Sequence, residues 1–225
     1  VISLRRYPVK SMTGESVGQL DVDERGVVGD RLWSVRTVSD KIGSGKNTRR
    51  FARLEGLLEL RAAERDGRVL VTLPDGSACF TDDEDAAGRI SHQLGQPVTL
   101  ARETSVSHFD DGPISLIGMP SVAAVTEERQ ADVDPDRFRA NVLLHTPGRF
   151  VEDTWVGRQV RIGTAVLHVE MASPRCVMVD METADLPSQH GNLAAVGRIN
   201  QACLGIIATV LAPGTIRVGD TLTIG

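Results

Sequence analysis

Residues 17–38 read VGQLDVDERGVVGDRLWSVRTV. Residues 17–22 and 32–38 alternate or cluster apolar side chains at strand length, and GVVGD between them is a turn signal, so the stretch predicts two short strands. The same pattern continues outward. Residues 57–62 and 69–73 are further strand-length pieces, and DKIGSGKN, RDG and PDG punctuate the region. A run of short strands with Gly- and Pro-containing turns predicts a small antiparallel barrel or sandwich over residues 1–100.

Beyond residue 81 helical patterning enters. Residues 82–95 predict a helix with acidic residues in its first turn and Gly95-Gln96-Pro97 at its end. Residues 119–130 predict a second helix with Pro120 near its start, and residues 192–201 a short third one. Residues 138–144 predict a strand, and 160–163 with 166–170 a hairpin about Gly163-Thr164. Strands at 206–211, 215–218 and 221–224 close the chain. The expected fold class is mainly β with a few helices (α+β): a small N-terminal β-barrel or sandwich domain, residues 1–100, packed on a second domain, residues 101–225.

The 225 residues are 41% hydrophobic and 24% charged, with 22 Gly and 10 Pro, which excludes disorder, collagen and coiled coil. Two Trp, one Tyr, five Phe and a net charge of -5 argue against a nucleic-acid partner. Charge is uneven: residues 1–50 carry ten Lys/Arg against six Asp/Glu, so an anion site in that segment and a chance excess both fit. Cys79, Cys176 and Cys203 are too few and too far apart for a disulfide framework, and without a Cys-x-x-Cys pair neither zinc nor an iron–sulfur cluster is expected. The apolar run at 203–212 is about half of what a bilayer crossing needs, and the opening VISLRRYPVK lacks the apolar core of a signal peptide, so the expectation is no membrane and a cytoplasmic location.

Several short motifs carry chemistry. In Tyr7-Pro8-Val9-Lys10-Ser11 an ammonium and a hydroxyl stand side by side before a turn, which suits an oxyanion; a solvated Lys at a strand end is the plainer reading. Asp30-Arg31-Leu32-Trp33 offers an Arg steadied by a neighbouring Asp, and Asn47-Thr48-Arg49-Arg50 supplies more donors. Downstream come Phe138-Arg139-Ala140-Asn141, then Glu152-Asp153-Thr154-Trp155, then Ser173-Pro174-Arg175-Cys176. Cys176 is the one cysteine in a polar setting, whereas Cys79 and Cys203 lie in apolar runs that make a small thiol inert. Arg175 beside Cys176 favours the thiolate, the form that acts as nucleophile and soft metal ligand. The five histidines show no ligand spacing, and Gly-x-Ser-x-Gly, P-loop and Gly-x-Gly-x-x-Gly motifs are absent, so zinc hydrolases and the common nucleotide-binding folds are disfavoured.

Taken in order, YPVKS, DRLW, NTRR, FRANVLL, FVEDTWVGRQVRIG, SPRCVMVD and GTIRVGDTLTIG resemble a MOSC-domain protein, the domain found at the C-terminus of molybdenum cofactor sulfurases, preceded by the β-barrel domain that accompanies it. The resemblance spans nearly the whole chain. It implies a molybdenum cofactor of the molybdopterin type in a cleft between a barrel domain and a MOSC β-barrel domain, with Cys176 as the molybdenum ligand. It further implies that Lys10, Ser11, Arg31, Arg139, Asn141 and Arg175 hold the pterin and its phosphate, that Thr48 and Arg49 match more loosely as cofactor contacts, and that Asp153 shapes the catalytic side. Three positions depart from the family pattern: Met12 where a Cys is common, Ala140 where a Pro is usual, and Gly118 where a hydroxyl residue often sits, so that a cofactor contact is lost there.

The activity the resemblance implies is reduction of small N-hydroxylated substrates, with electrons from an external donor protein, since no ferredoxin-like stretch is present. Two alternatives remain: a sulfur carrier or transferase using a Cys176 persulfide, and a non-catalytic carrier of the cofactor.

Overall fold

The computed structural model describes residues 1–225. It is mostly strands with three α-helices, α1 Ala86–Leu94, α2 Met119–Arg129 and α3 Asn192–Asn200. The largest sheet has eight strands in the order Leu222–Ile224, Gln159–Ile162, Ala165–Pro174, Cys203–Ala212, Ile114–Gly118, Val142–Leu144, Ser3–Arg6 and Glu15–Val17. All its pairs are antiparallel except Ile114–Gly118 with Val142–Leu144. It curls over a core of 17 buried apolar residues, closed by a three-stranded sheet in which Gln19–Asp23 lies between Gly214–Arg217 and Gly26–Val27. The QLDVD strand shows the alternation that puts it there, with Leu20 and Val22 buried and the intervening polar residues exposed.

The first half builds a smaller barrel from two sheets. One joins Arg61–Arg65, Arg68–Thr72 and Ala78–Phe80; the other joins Val98–Arg102, Trp33–Thr37, Ile42–Ser44 and Phe51–Arg53. The segment 7–13 threads between them, bridging Val9 to Trp33 and Thr13 to Arg61. Its Val9 and Met12 are fully buried with Val35, Leu57, Leu60, Val71 and Ile90 in a second core. Met12 is therefore a packing residue of the barrel interior.

Local chemistry moves several boundaries from where the pattern puts them. The strand expected at 17–22 breaks at Gly18. Leu57–Glu59 is a turn of 3₁₀ helix, so the strand expected from 57 begins at Arg61. α1 starts at Ala86 rather than 82, because the Asp82 and Asp83 carboxylates bind the Arg68 guanidinium and Asp83 also accepts from the Phe80 amide. The strand expected over 138–144 is confined to Val142–Leu144, since Pro135–Phe138 is 3₁₀ helix and Arg139 has φ of 52°.

Residues 1–6 and 15–27 do not stay with the barrel half. Leu4, Leu20, Val22 and Val27 are buried in the core of the large sheet, alongside Ile114, Leu144 and Ile206. The chain thus starts in the second half, threads through the barrel at 7–13, returns to the second half for 15–27, builds the rest of the barrel, and comes back after residue 102. The threading segment 7–13 is the one that carries Lys10 and Ser11.

Candidate functional site

Lys10, Ser11, Arg31, Arg139, Arg175 and Cys176 all line one cleft, partly open to solvent, between the two halves. All six are residues that the sequence motifs single out. The cleft also takes Lys46, Asp110, Asp111, Ser115, Arg137 and Met178, none of which was singled out. Arg137 had a signal in its place two residues before Arg139; Lys46 and Asp110 sit in loops whose inward face no local pattern reveals.

Three of the lining residues, Ser11, Arg31 and Arg139, have φ of 69°, 50° and 52°. Non-glycine residues avoid this region, at a cost of roughly 1–3 kcal/mol each, and the surroundings hold them there. The Arg31 amide donates to Tyr7 O at 2.7 Å, the Arg139 amide to Asp136 O at 3.1 Å, and Ser11 Oγ to Gly43 O at 3.2 Å. Tyr7 is the hub. Its buried ring lies 4.5 Å from the Arg139 guanidinium and 4.8 Å from that of Arg31, and its amide donates to Asp30 Oδ1 at 2.7 Å. Asp30, fully buried, also pairs with Arg31. Stacked and hydrogen-bonded in this way, both guanidinium planes are fixed before any ligand arrives.

The balance of charge is strongly positive. Lys10, Lys46 and four arginines face two carboxylates, Asp110 and Asp111. Asp110 pairs with both ammoniums, and Asp30 neutralises Arg31. Arg137, Arg139 and Arg175 have no carboxylate partner; they donate to backbone carbonyls, Arg139 to Met12 O at 2.7 Å, Arg137 to Pro187 O at 2.7 Å, and Arg175 to Phe138 O at 2.7 Å and Leu204 O at 2.8 Å. Burial pulls Arg139 and Arg175 down to about 10, the mark of cations without counter-charges. Burial also lowers Lys10, to about 8, although Asp110 works against it. Buried unpaired guanidiniums around a cleft are an anion site.

Cys176 lies at the half-exposed edge of this wall, within electrostatic reach of Arg175 and Lys46. Its loop is strapped to the barrel: Ala184 donates to Leu58 O at 3.2 Å, and Arg61 donates to Ala184 O at 2.9 Å and pairs with Asp185. Met178 and Met181 close over Gly45 so tightly that a Cβ there would stand 2.8 and 2.7 Å from them. No group of three or more His, Cys, Asp or Glu side chains gathers as a metal site. Cys203 corrects the expectation of an inert thiol in an apolar run: it is half-buried, faces Pro174 across the sheet, and is felt by Arg175. Cys79 is buried, and burial raises its thiol.

The other residues expected at the site lie elsewhere. Asn141 is buried behind the cleft, where its side-chain oxygen accepts from Ser115 N and Oγ at 3.1 and 3.0 Å and its amide nitrogen donates to Arg5 O. It positions Ser115 and lines nothing. Thr48 and Arg49 are exposed; the Thr48 hydroxyl accepts from the Arg50 and Phe51 amides of its own turn. Asp153 sits on the 3₁₀ turn Val151–Trp155 away from the cleft, accepting from Asn200 Nδ2 at 2.7 Å, and burial raises its carboxyl. Gly118 does not face the cleft either. Its amide donates to the buried Glu152 carboxylate at 2.9 Å, and a Cβ there would meet Glu152 and Thr146 oxygens at 2.8 Å, so packing against Glu152 explains the glycine.

Comparison with known proteins follows the same division. A sequence profile described as the MOSC domain matches residues 102–223, and one described as the MOSC N-terminal beta barrel domain matches residues 1–110. The chain is 21% identical over 227 residues to a molybdenum cofactor sulfurase of Oryza sativa subsp. japonica, covering 78% of this chain and 27% of that protein. It is 27% identical over 151 residues to mitochondrial amidoxime reducing component 2 of Rattus norvegicus, covering 61% of this chain and 44% of that protein. It thus spans less than half the length of either relative. Among solved structures, the YUAD protein from Bacillus subtilis superimposes with a TM-score of 0.54 at 16% identity, covering 99% of this chain and 92% of that one, a likeness of fold.

Proposed function

The chain belongs to the MOSC family, its MOSC domain preceded by the N-terminal barrel domain, and on that premise we propose that the cleft binds a molybdenum cofactor and that the protein reduces small N-hydroxylated compounds with electrons from a separate donor protein. The observation that carries the reading is the set of guanidiniums without carboxylate partners, Arg137, Arg139 and Arg175, around a cleft that also holds a half-exposed thiol. Relatives named for amidoxime reduction and for cofactor sulfuration both point to molybdenum-cofactor chemistry.

The donor set fits such a group. A phosphate monoester suits Lys10 and Lys46, and the preset forks of Arg31 and Arg139 suit further oxygens. Cys176 would supply the soft sulfur ligand for the metal. When bound, the molybdenum centre supplies two-electron oxygen-atom transfer. The chain's part is to orient that group through side chains already fixed by Tyr7, Asp30 and backbone carbonyls, so that little ordering entropy is lost on binding.

Protein produced in a cofactor-competent host is expected to carry about one molybdenum and one pterin per chain, and Cys176→Ser to lose the metal. Equal metal in both proteins refutes the ligand assignment. Loaded protein supplied with a strong artificial electron donor should reduce an amidoxime; failure with intact metal content refutes the reductase reading.

A second reading, sulfur transfer through a Cys176 persulfide, is favoured by the half-exposed position of this thiol at the cleft. A labile adduct of roughly +32 Da on Cys176 after incubation with a cysteine desulfurase supports it, and an unmodified thiol argues against it.

A further inference from the structure

One carboxylate, Asp110, caps two ammoniums in the cleft. Its Oδ2 accepts from Lys10, whose side chain is 3% exposed, and its Oδ1 pairs with Lys46 at 3.1 Å. Both oxygens are thus committed to the two cations that a phosphate entering this corner would use. Asp111, next in the chain and lining the same cleft, is exposed and pairs with no cation.

The segment carrying Asp110 is pinned on one side of it. The Glu103 carboxylate pairs with Arg25 at 2.6 Å and accepts from the His108 amide at 2.8 Å. The buried His108 ring sits 3.1 Å from both Arg31 O and Ser34 Oγ, and Phe109 lies under the Arg25 guanidinium at 4.5 Å with its carbonyl accepting from Arg50 at 2.9 Å. Asp110 is the first residue past this anchor, and the next regular element begins at Ile114. With 32% of its side chain exposed, the carboxylate has a route to water that leaves the anchor in place.

We propose that Asp110 is a specificity-determining residue that competes with the ligand: its tethered carboxylate holds the Lys10–Lys46 anion position, and only an anion of higher charge density, such as a phosphate monoester dianion, displaces it. The inference rests on the reading of the cleft as a phosphate site. Its physical basis is that two anions do not share one pair of ammoniums without strong mutual repulsion. A monoanionic carboxylate from solution gains nothing over the tethered one, whereas a dianion with three acceptor oxygens engages both ammoniums with twice the charge. The pairing also gives the buried Lys10 a counter-charge, which an isolated ammonium there would otherwise lack.

Calorimetric titration with inorganic phosphate, at neutral pH and fixed ionic strength, tests this on the full chain and two variants. Asp110→Asn is expected to bind phosphate at least about tenfold more tightly than wild type. Asp111→Asn removes the same charge from the same cleft without touching the pair, and is expected to change affinity by less than about threefold, the scale of an exposed charge. Asp110→Ser must give the same ordering, and replaces Asp110→Asn if that variant fails to fold. If wild type binds phosphate and the Asp110 variants bind no more tightly, or Asp111→Asn matches them, the competitor role is overturned while the phosphate site stands. If none of the proteins binds phosphate, the competitor role and the phosphate reading fall together.

Discussion

Tyr7 shows how one side chain sets the chemistry of a cleft it does not line. Its ring faces two guanidiniums and its amide holds the carboxylate that steadies one of them. The short motifs pointed to Lys10, Arg31, Arg139 and Cys176, because cations and a polar thiol are conspicuous in a chain with few such clusters. They could not exclude Thr48, whose hydroxyl is consumed by its own turn, or Asn141, which faces a neighbouring strand. Lys10 carries a pH signature. Burial lowers it to about 8 despite the Asp110 carboxylate. Above that value the unfolded chain binds more protons at Lys10 than the folded one, so the cost of burying it is relieved as pH rises toward the ordinary Lys range. For anions the sign reverses: phosphate affinity should fall as pH rises through about 8, and binding at about pH 9 should take up as much as one proton. Calorimetry in buffers of different ionisation enthalpy checks this; uptake unchanged in Lys10→Gln would assign the proton elsewhere.

At the scale of an element, the strand Cys203–Ala212 is legible as an apolar run, but its irregularity is not. Between the pairs Pro174–Cys203 and Ala172–Ile206, Leu204 and Gly205 face the single residue Ser173, a bulge that leaves Leu204 O to accept from the Arg175 guanidinium. Gly205 has φ of 76°, and a Cβ there would stand 2.4 Å from Leu116 O. Gly205→Ala is therefore expected to destabilise the protein by about 2–4 kcal/mol, read from the urea midpoint, and to loosen Arg175. A cost under about 0.5 kcal/mol would show that the bulge is not built on this glycine. Arg175 is thus an example of a motif residue whose usefulness depends on a distortion in another strand.

At the scale of the whole molecule, the two halves interlock. Sequence patterning predicts a division near residue 100, and the barrel core does belong to the first half, yet Leu4, Leu20, Val22 and Val27 are buried in the second. Their burial contributes on the order of 6–12 kcal/mol at about 1.5–3 kcal/mol per side chain, comparable with the net stability of a whole domain. A fragment of residues 101–225 should therefore lack fixed tertiary packing by near-ultraviolet circular dichroism, and adding residues 1–30 in trans should restore it. A cooperatively folded fragment on its own would contradict the interlock. No helix is long and apolar enough to cross a membrane.

What the sequence determined by itself was the run of short strands, the three helices, the family, and the residue types able to grip an anion and a soft metal. The strands, helices and residue types follow from periodicity and side-chain chemistry, which are local, and the family from the resemblance of its ordered motifs. The tertiary structure alone decided which cations lack partners, that Asp110 takes up both ammoniums of the cleft, and that residues 1–6 and 15–27 complete the second half. Those facts depend on which surfaces meet across 100 or more residues of chain, and desolvation and charge pairing are properties of that meeting.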